Sequence, residues 1–159
     1  MFADIVASTE RVTELGDARW RELLAAHHAA VRRDLERFHG HEVKTLGDGH
    51  LATFDAPARA VRCGHAITKA ARSRDLEVHI GLHSGEVELF HDDVGGIAVH
   101  IAARIGALAT PGEVLVSSTV KDLVAGSGIR FPRPRGEATQ GRRRAVAAVR
   151  SRAVTARYV

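Results

Sequence analysis

The sequence predicts an α+β domain with a ferredoxin-like β-α-β-β-α-β core and extra strands and helices. Three observations predict it. Short apolar or alternating runs (2–6, 43–54, 76–90) are separated by two stretches of helical periodicity, 17–38 and 57–71. The run at 43–54 is split by Gly47-Asp48-Gly49, and a D-G pair between alternating segments signals a hairpin. No internal repeat appears, which argues against a solenoid or propeller.

Residues 2–6 (F-A-D-I-V) read as a buried strand interrupted by Asp4, a carboxylate that is costly there unless paired or metal-bound. The strand lies so near residue 1 that upstream sequence is expected to have been trimmed. Ala7-Ser8-Thr9 leads into E-R-V-T-E-L, a helix with Ser8 or Thr9 as natural N-cap. A strand entering a helix this way presents backbone N–H groups to an anion. Over 17–38, Trp20, Leu23, Leu24, His27, Val31, Leu35 and Phe38 recur at helical spacing. His27 and His28 fall at the edge of that buried face, and Gly40 is expected to stop the helix. The hairpin follows, with Asp48 at its tip and Lys44 four residues earlier on the strand leading in. By themselves, that acid and base also suit a solvated hairpin.

Ala56-Pro57 opens the second helix, with proline in the first turn and Ala60, Val61, Gly64, Ile67 and Ala71 on one side. Residues 76–90 alternate as a strand, break at Ser84-Gly85 and resume as an arm. Residues 91–96 read as a turn. The small-residue stretch 97–105 reads as a helix with His100 and Arg104 on one face. A turn at Thr110-Pro111-Gly112, a strand over 113–118 and a short helix over 119–124 complete the body.

The length of 159 residues fits one domain with a real core. No apolar run is long enough to span a bilayer and no signal-peptide pattern is present, so a soluble, cytoplasmic chain without a membrane segment is expected. The single Cys63 excludes a disulfide framework and a cysteine-rich metal site. Ten histidines invite zinc, but none has a metalloprotease-like context, and His79 and His83 lie four apart on a strand. The net charge of +4 conceals a split: from Arg130 onward nine arginines face Glu137 alone, leaving the first 129 residues at −4. A basic tail can bind nucleic acid, but this one lacks interleaved aromatics and its body is acidic, so no nucleic-acid partner is expected.

The segments F-A-D-I-V-A-S-T, K-T-L-G-D-G-H-L-A-T-F, H-S-G-E-V, D-V-G-G-I-A-V-H-I-A-A-R-I and T-P-G-E-V-L-V-S-S, in this order, resemble the catalytic domain of the class III nucleotidyl cyclases, especially the mycobacterial-type adenylyl cyclases. The resemblance covers residues 2–131 and divides the chain into a catalytic domain, 1–131, and an atypical Arg-rich tail, 132–159. It implies an adenylate cyclase that converts ATP to 3′,5′-cyclic AMP and pyrophosphate. Asp4, Asp48 and the Ile5 carbonyl are implied to hold two divalent cations, Mg²⁺ or Mn²⁺, for an in-line attack of the ribose 3′-hydroxyl. The backbone of Ala7, Ser8 and Thr9 is implied to cradle phosphates, Lys44 and Asp93 to read adenine, and Arg104 to stabilise charge on the α-phosphate. The resemblance also implies a head-to-tail homodimer with shared sites, Asp4 and Asp48 from one protomer and Lys44, Asp93, His100 and Arg104 from the other.

Two departures stand out. His100 replaces the family's usual ribose-positioning Asn, although an imidazole can still donate a hydrogen bond. The tail lacks the family's Gly-Lys turn and aromatic strand; either a frameshift that replaced the last strand or a disordered basic extension would account for this, and the coding DNA tests the frameshift. These departures leave two other readings: a guanylyl or mixed-specificity cyclase, which Lys44 opposes, and a cyclase-like dimerising or nucleotide-binding module with little or no activity.

Overall fold

The computed structural model describes residues 1–91, 93–131 and 157–159. The chain runs β1 (Phe2–Ile5), α1 (Ser8–Leu15), α2 (Asp17–Arg37), β2 (Gly40–Leu46), β3 (Gly49–Phe54), α3 (Pro57–Arg72), β4 (Val78–Leu82), β5 (Glu88–Phe90), β6 (Asp93–Gly95), α4 (Ile97–Leu108), β7 (Glu113–Val116), α5 (Ser118–Leu123) and β8 (Arg157–Tyr158). The first sheet has the order β2-β3-β1-β4-β7-β8. Its β2-β3-β1-β4 part is antiparallel and forms the expected ferredoxin-like core; β7 and β8 extend it by parallel pairing.

Strand alternation sorts the two faces of the sheet. Ala3, Ile5, Ala52, Val78, Ile80, Leu82, Val114 and Val116 point into one apolar cluster with Trp20, Val31 and Leu35 of α2 and Val61, Cys63 and Ile67 of α3. Their neighbours, Phe2, Asp4, Gly81 and Leu115, therefore face the other side, where α4 lies. There Leu115 packs with Ile105 and Ala109. Contact is closest at Gly81, where a Cβ would collide with the backbone of Gly106 and Ala102.

Local chemistry explains most boundaries. Pro57 starts α3, and Ser117 caps α5 by accepting from the Val120 N–H. Gly47 takes the left-handed conformation, φ 65°, in the two-residue β2–β3 turn.

Four expectations need correction. The residue preceding α1 is Ala7 in the left-handed region (φ 52°, ψ 40°) without a side-chain cap, so neither Ser8 nor Thr9 is the N-cap. The left-handed turn after α2 falls on His39 (φ 55°), one residue before Gly40. Gly40 is small for a different reason: a Cβ there would sit 2.6 Å from Phe54 Cζ. Residues 93–95 are not a turn but β6, which pairs with β5 as a separate two-stranded arm, Leu89 standing opposite Val94. Finally, 157–159 return to the sheet: β8 pairs with β7, and the Val159 N–H donates to the Val116 carbonyl at 2.9 Å. The rest of the atypical tail, including the segment behind the frameshift reading, lies outside the described residues.

Candidate active site

Asp4 lies near the end of β1 on the α4 face, and Asp48 occupies the turn of the neighbouring hairpin. One Asp4 carboxylate oxygen lies 2.8 Å from where a Cβ on Gly49 would be, so Gly49 leaves room for the acid beside Asp48. Partial burial raises the Asp4 pKa, and the charge of Asp48 raises it further; His79 and the Ile5 N–H pull it back in part. Two carboxylates in mutual repulsion are the hard oxygen donors that could hold a hard cation. Among the described residues, no set of three or more His, Cys, Asp or Glu is grouped for a metal ion.

Just past β1, the left-handed Ala7 swings the chain into α1. A non-glycine residue there is uncommon and marks a turn held by its surroundings. The N–H groups of Ser8 and Thr9 open the helix and have no intrahelical acceptor.

Lys44 leaves β2 on the α4 face and meets Asp93 at the start of β6, with Nζ 2.6 Å from Oδ2. The other Asp93 oxygen accepts the Val94 N–H at 2.8 Å. The Lys44 hydrogen bond, then that of Val94, holds the Asp93 carboxyl below the usual carboxylate range. Lys44 and Asp93 thus form a fixed pair of one donor and one acceptor. Thr45 and Leu46 of β2 and Gly47 of the turn separate Lys44 from Asp48. His100 and Arg104 lie one turn apart on α4, exposed to solvent, and among the described residues neither forms a hydrogen bond or ion pair.

The structure therefore joins Asp4 to Asp48 and Lys44 to Asp93, places Ala7, Ser8 and Thr9 after β1, and leaves His100 and Arg104 presented outward. A cleft of about 190 Å³ between β3, the end of β4 and α4 contains none of these residues.

Sequence reasoning missed a polar cluster on the opposite face. His27, placed at the edge of the helix's buried face by periodicity, is 2% exposed. Its ring centroid lies 6.2 Å from that of His28 and 6.3 Å from that of His50, and the latter two are 4.8 Å apart. His50 Nδ1 lies 2.8 Å from Glu42 Oε1. Nothing in local spacing relates α2 to β3, so no sequence signal pointed to this contact.

A model of the adenylate and guanylate cyclase catalytic domain matches residues 1–147. An uncharacterized protein of Mycobacterium tuberculosis is 32% identical over 125 residues, covering 77% of this chain and 33% of that protein. A Rhizobium meliloti protein named "Putative adenylate cyclase 3" is 35% identical over 135 residues, covering 79% of this chain and 23% of that protein. The chain thus spans a third or less of these relatives. The crystal structure of an adenylate/guanylate cyclase/hydrolase from Silicibacter pomeroyi superposes with TM-score 0.69 at 28% identity, covering 82% of this chain and 79% of that one. An adenylyl cyclase from P. aeruginosa shares the fold, with TM-score 0.69 at 20% identity and 77% of each chain covered.

Proposed function

We propose that this chain, which belongs to the adenylate and guanylate cyclase catalytic-domain family, is an adenylyl cyclase closing ATP to 3′,5′-cyclic AMP with release of pyrophosphate. The observation that carries this reading is the Lys44–Asp93 pair, held at 2.6 Å. Lys44 can donate to adenine N1 while Asp93 accepts from the 6-amino group. Guanine presents the reverse pattern and would leave these groups unpaired.

Asp4, Asp48 and the Ile5 carbonyl fit two divalent cations, Mg²⁺ or Mn²⁺. The donors are hard oxygens and few in number, as Mg²⁺ prefers, and a cation relieves the repulsion that raises Asp4. Such ions, when bound, supply activation of the ribose 3′-hydroxyl and neutralisation of the triphosphate. The chain's own groups do the remaining work. The N–H groups of Ala7, Ser8 and Thr9 hold phosphate oxygens, His100 hydrogen-bonds the ribose, and Arg104 stabilises charge developing on the α-phosphate. The 3′-oxygen attacks the α-phosphorus as pyrophosphate leaves.

Leu46, Leu89, Phe90 and Ile97 are exposed beside Lys44, on the β5–β6 arm and at the start of α4. A second copy placed head to tail covers these apolar side chains and completes two equivalent sites, with His100 and Arg104 facing the partner's carboxylates. We assign the catalytic body to residues 1–131 and the Arg-rich tail to 132–159.

Purified protein incubated with Mg²⁺ or Mn²⁺ and either ATP or GTP is expected to give cyclic AMP with the higher kcat/KM. An equal or higher value for GTP overturns the adenine reading; nucleotide binding without cyclic product supports the inactive-module reading that His100 and the tail leave open. Mixing Asp4→Ala and Lys44→Ala chains, each inactive alone, should restore about a quarter of wild-type activity, because half the dimers then carry one intact site of two. No recovery in proven mixed dimers rules out shared sites.

A further inference from the structure

β2 contains one residue more than β3 opposite it: Glu42 pairs with Ala52 and Lys44 with Leu51, leaving Val43 without a partner. Strict alternation puts residues 42 and 44 on the same face. The bulge places them on opposite faces, with Glu42 towards α2 and Lys44 towards Asp93.

The Glu42 side chain stitches this bulge shut. Its Oε2 accepts from Arg32 Nε on α2 at 2.8 Å. Its Oε1 accepts from Thr45 Oγ1, beyond the bulge, at 2.8 Å and lies 2.8 Å from His50 Nδ1 on β3. Arg32 also donates to Thr45 Oγ1 at 3.3 Å. One carboxylate thereby binds the covering helix, its own strand and the partner strand. Burial alone pushes its pKa up; the hydrogen bonds from Arg32, Thr45 and His50 outweigh burial and hold it down to about 2. Glu42 is thus ionised and committed at neutral pH.

We propose that Glu42 is a positioning residue for nucleotide selection: its carboxylate fixes the bulge at Val43 and so aims Lys44 at Asp93 and at the base. The proposal rests on the reading of Lys44 and Asp93 as the base-recognising pair. It assigns Glu42 no contact with the nucleotide.

The test uses the full chain with Glu42→Gln, Thr45→Val and, as the conservative control, Thr45→Ser. Thr45→Val removes the bond across the bulge and the longer bond from Arg32, leaves the Glu42 carboxylate with Arg32 and His50, and serves if Glu42→Gln does not fold. In the nucleotide-free protein, NMR titration of the Asp93 carboxyl is expected to stay low in wild type and Thr45→Ser. In Glu42→Gln and Thr45→Val it should rise towards the ordinary carboxylate range as Lys44 turns away. With nucleotide, KM for ATP should rise and ATP-over-GTP discrimination fall, each by about tenfold, as expected when a donor that reads the base is misplaced. The kcat should change by less than about threefold, since Lys44 is turned aside rather than deleted as in the inactive Lys44→Ala chain. Folded variants that melt lower but keep the wild-type Asp93 titration and nucleotide preference overturn the proposal, because a merely structural role predicts that result. A wild-type chain without cyclase activity refutes the function instead, and the Asp93 titration still decides the bulge.

Discussion

Protonation of the buried histidine cluster should make the fold acid-labile, and His27 allows the size of the effect to be worked out. His27 is 2% exposed, and its Nδ1 has no hydrogen-bond partner among the described residues. Burial first, then the neighbouring His50, His28 and Arg74, push its pKa from 6.5 down to about 4, against a small opposing pull from Asp48. An unfolded chain takes up this proton near pH 6.5; the folded chain does so only near pH 4. Between those values the unfolded state binds more protons, so stability rises with pH. The contribution is fully present above pH 6.5 and is lost as pH falls towards 4. Single-site linkage over that interval amounts to about 3 kcal/mol, of which about 2 kcal/mol is lost between pH 7 and pH 5. His27→Leu removes the titrating group and retains a buried side chain of similar size. Urea unfolding at pH 7, 6 and 5 should show a variant whose stability falls less steeply than wild type by this amount, whatever its stability at pH 7. Parallel pH curves for the two proteins would refute the reasoning.

Two further outcomes follow from the site and its scaffold. Asp4→Asn removes the repulsion with Asp48, so without divalent cations it should melt above wild type, while cyclase activity disappears. Adding Mg²⁺ or Mn²⁺ at ten times its Kd should stabilise wild type by about 1.4 kcal/mol and leave the variant unmoved; equal shifts in both place the cation elsewhere. Gly81→Ala would drive a methyl group into the backbone of Gly106, whose Cα would lie 2.6 Å from the new Cβ. The variant should lose about 1–3 kcal/mol as well as activity, since α4 must shift and it carries His100 and Arg104; an unchanged melting temperature refutes that packing.

The core strands and helices were legible because their signals are local. The Gly47-Asp48 turn, the proline of α3 and the apolar stripe of α2 each need only neighbouring residues. The arm was read half correctly: Glu88–Phe90 emerged as a strand, but the three residues of β6 are too few for a periodic signal, and only pairing with β5 fixes them. The return of 157–159 to the sheet was not legible either, because its hydrogen bonds go to residues some forty positions away. Asp4, Lys44, Asp48 and Asp93 stand in motifs visible in the sequence, and the structure brings them together as two pairs. The Glu42 network was not, because alternation alone puts Glu42 on the wrong face.

The sequence by itself determined the helices and the core strands β1 to β4 and β7, and which acids and bases are available for chemistry, since spacing, turn residues and side-chain type act over a few positions. Tertiary structure alone decided that Asp4 stands beside Asp48, that Lys44 emerges towards Asp93, and that the buried His27 and His50 meet the half-buried His28. Those outcomes turn on a single unpaired residue in β2 and on contacts between chain segments far apart in sequence, whose energies exist only once the sheet has closed under its helices.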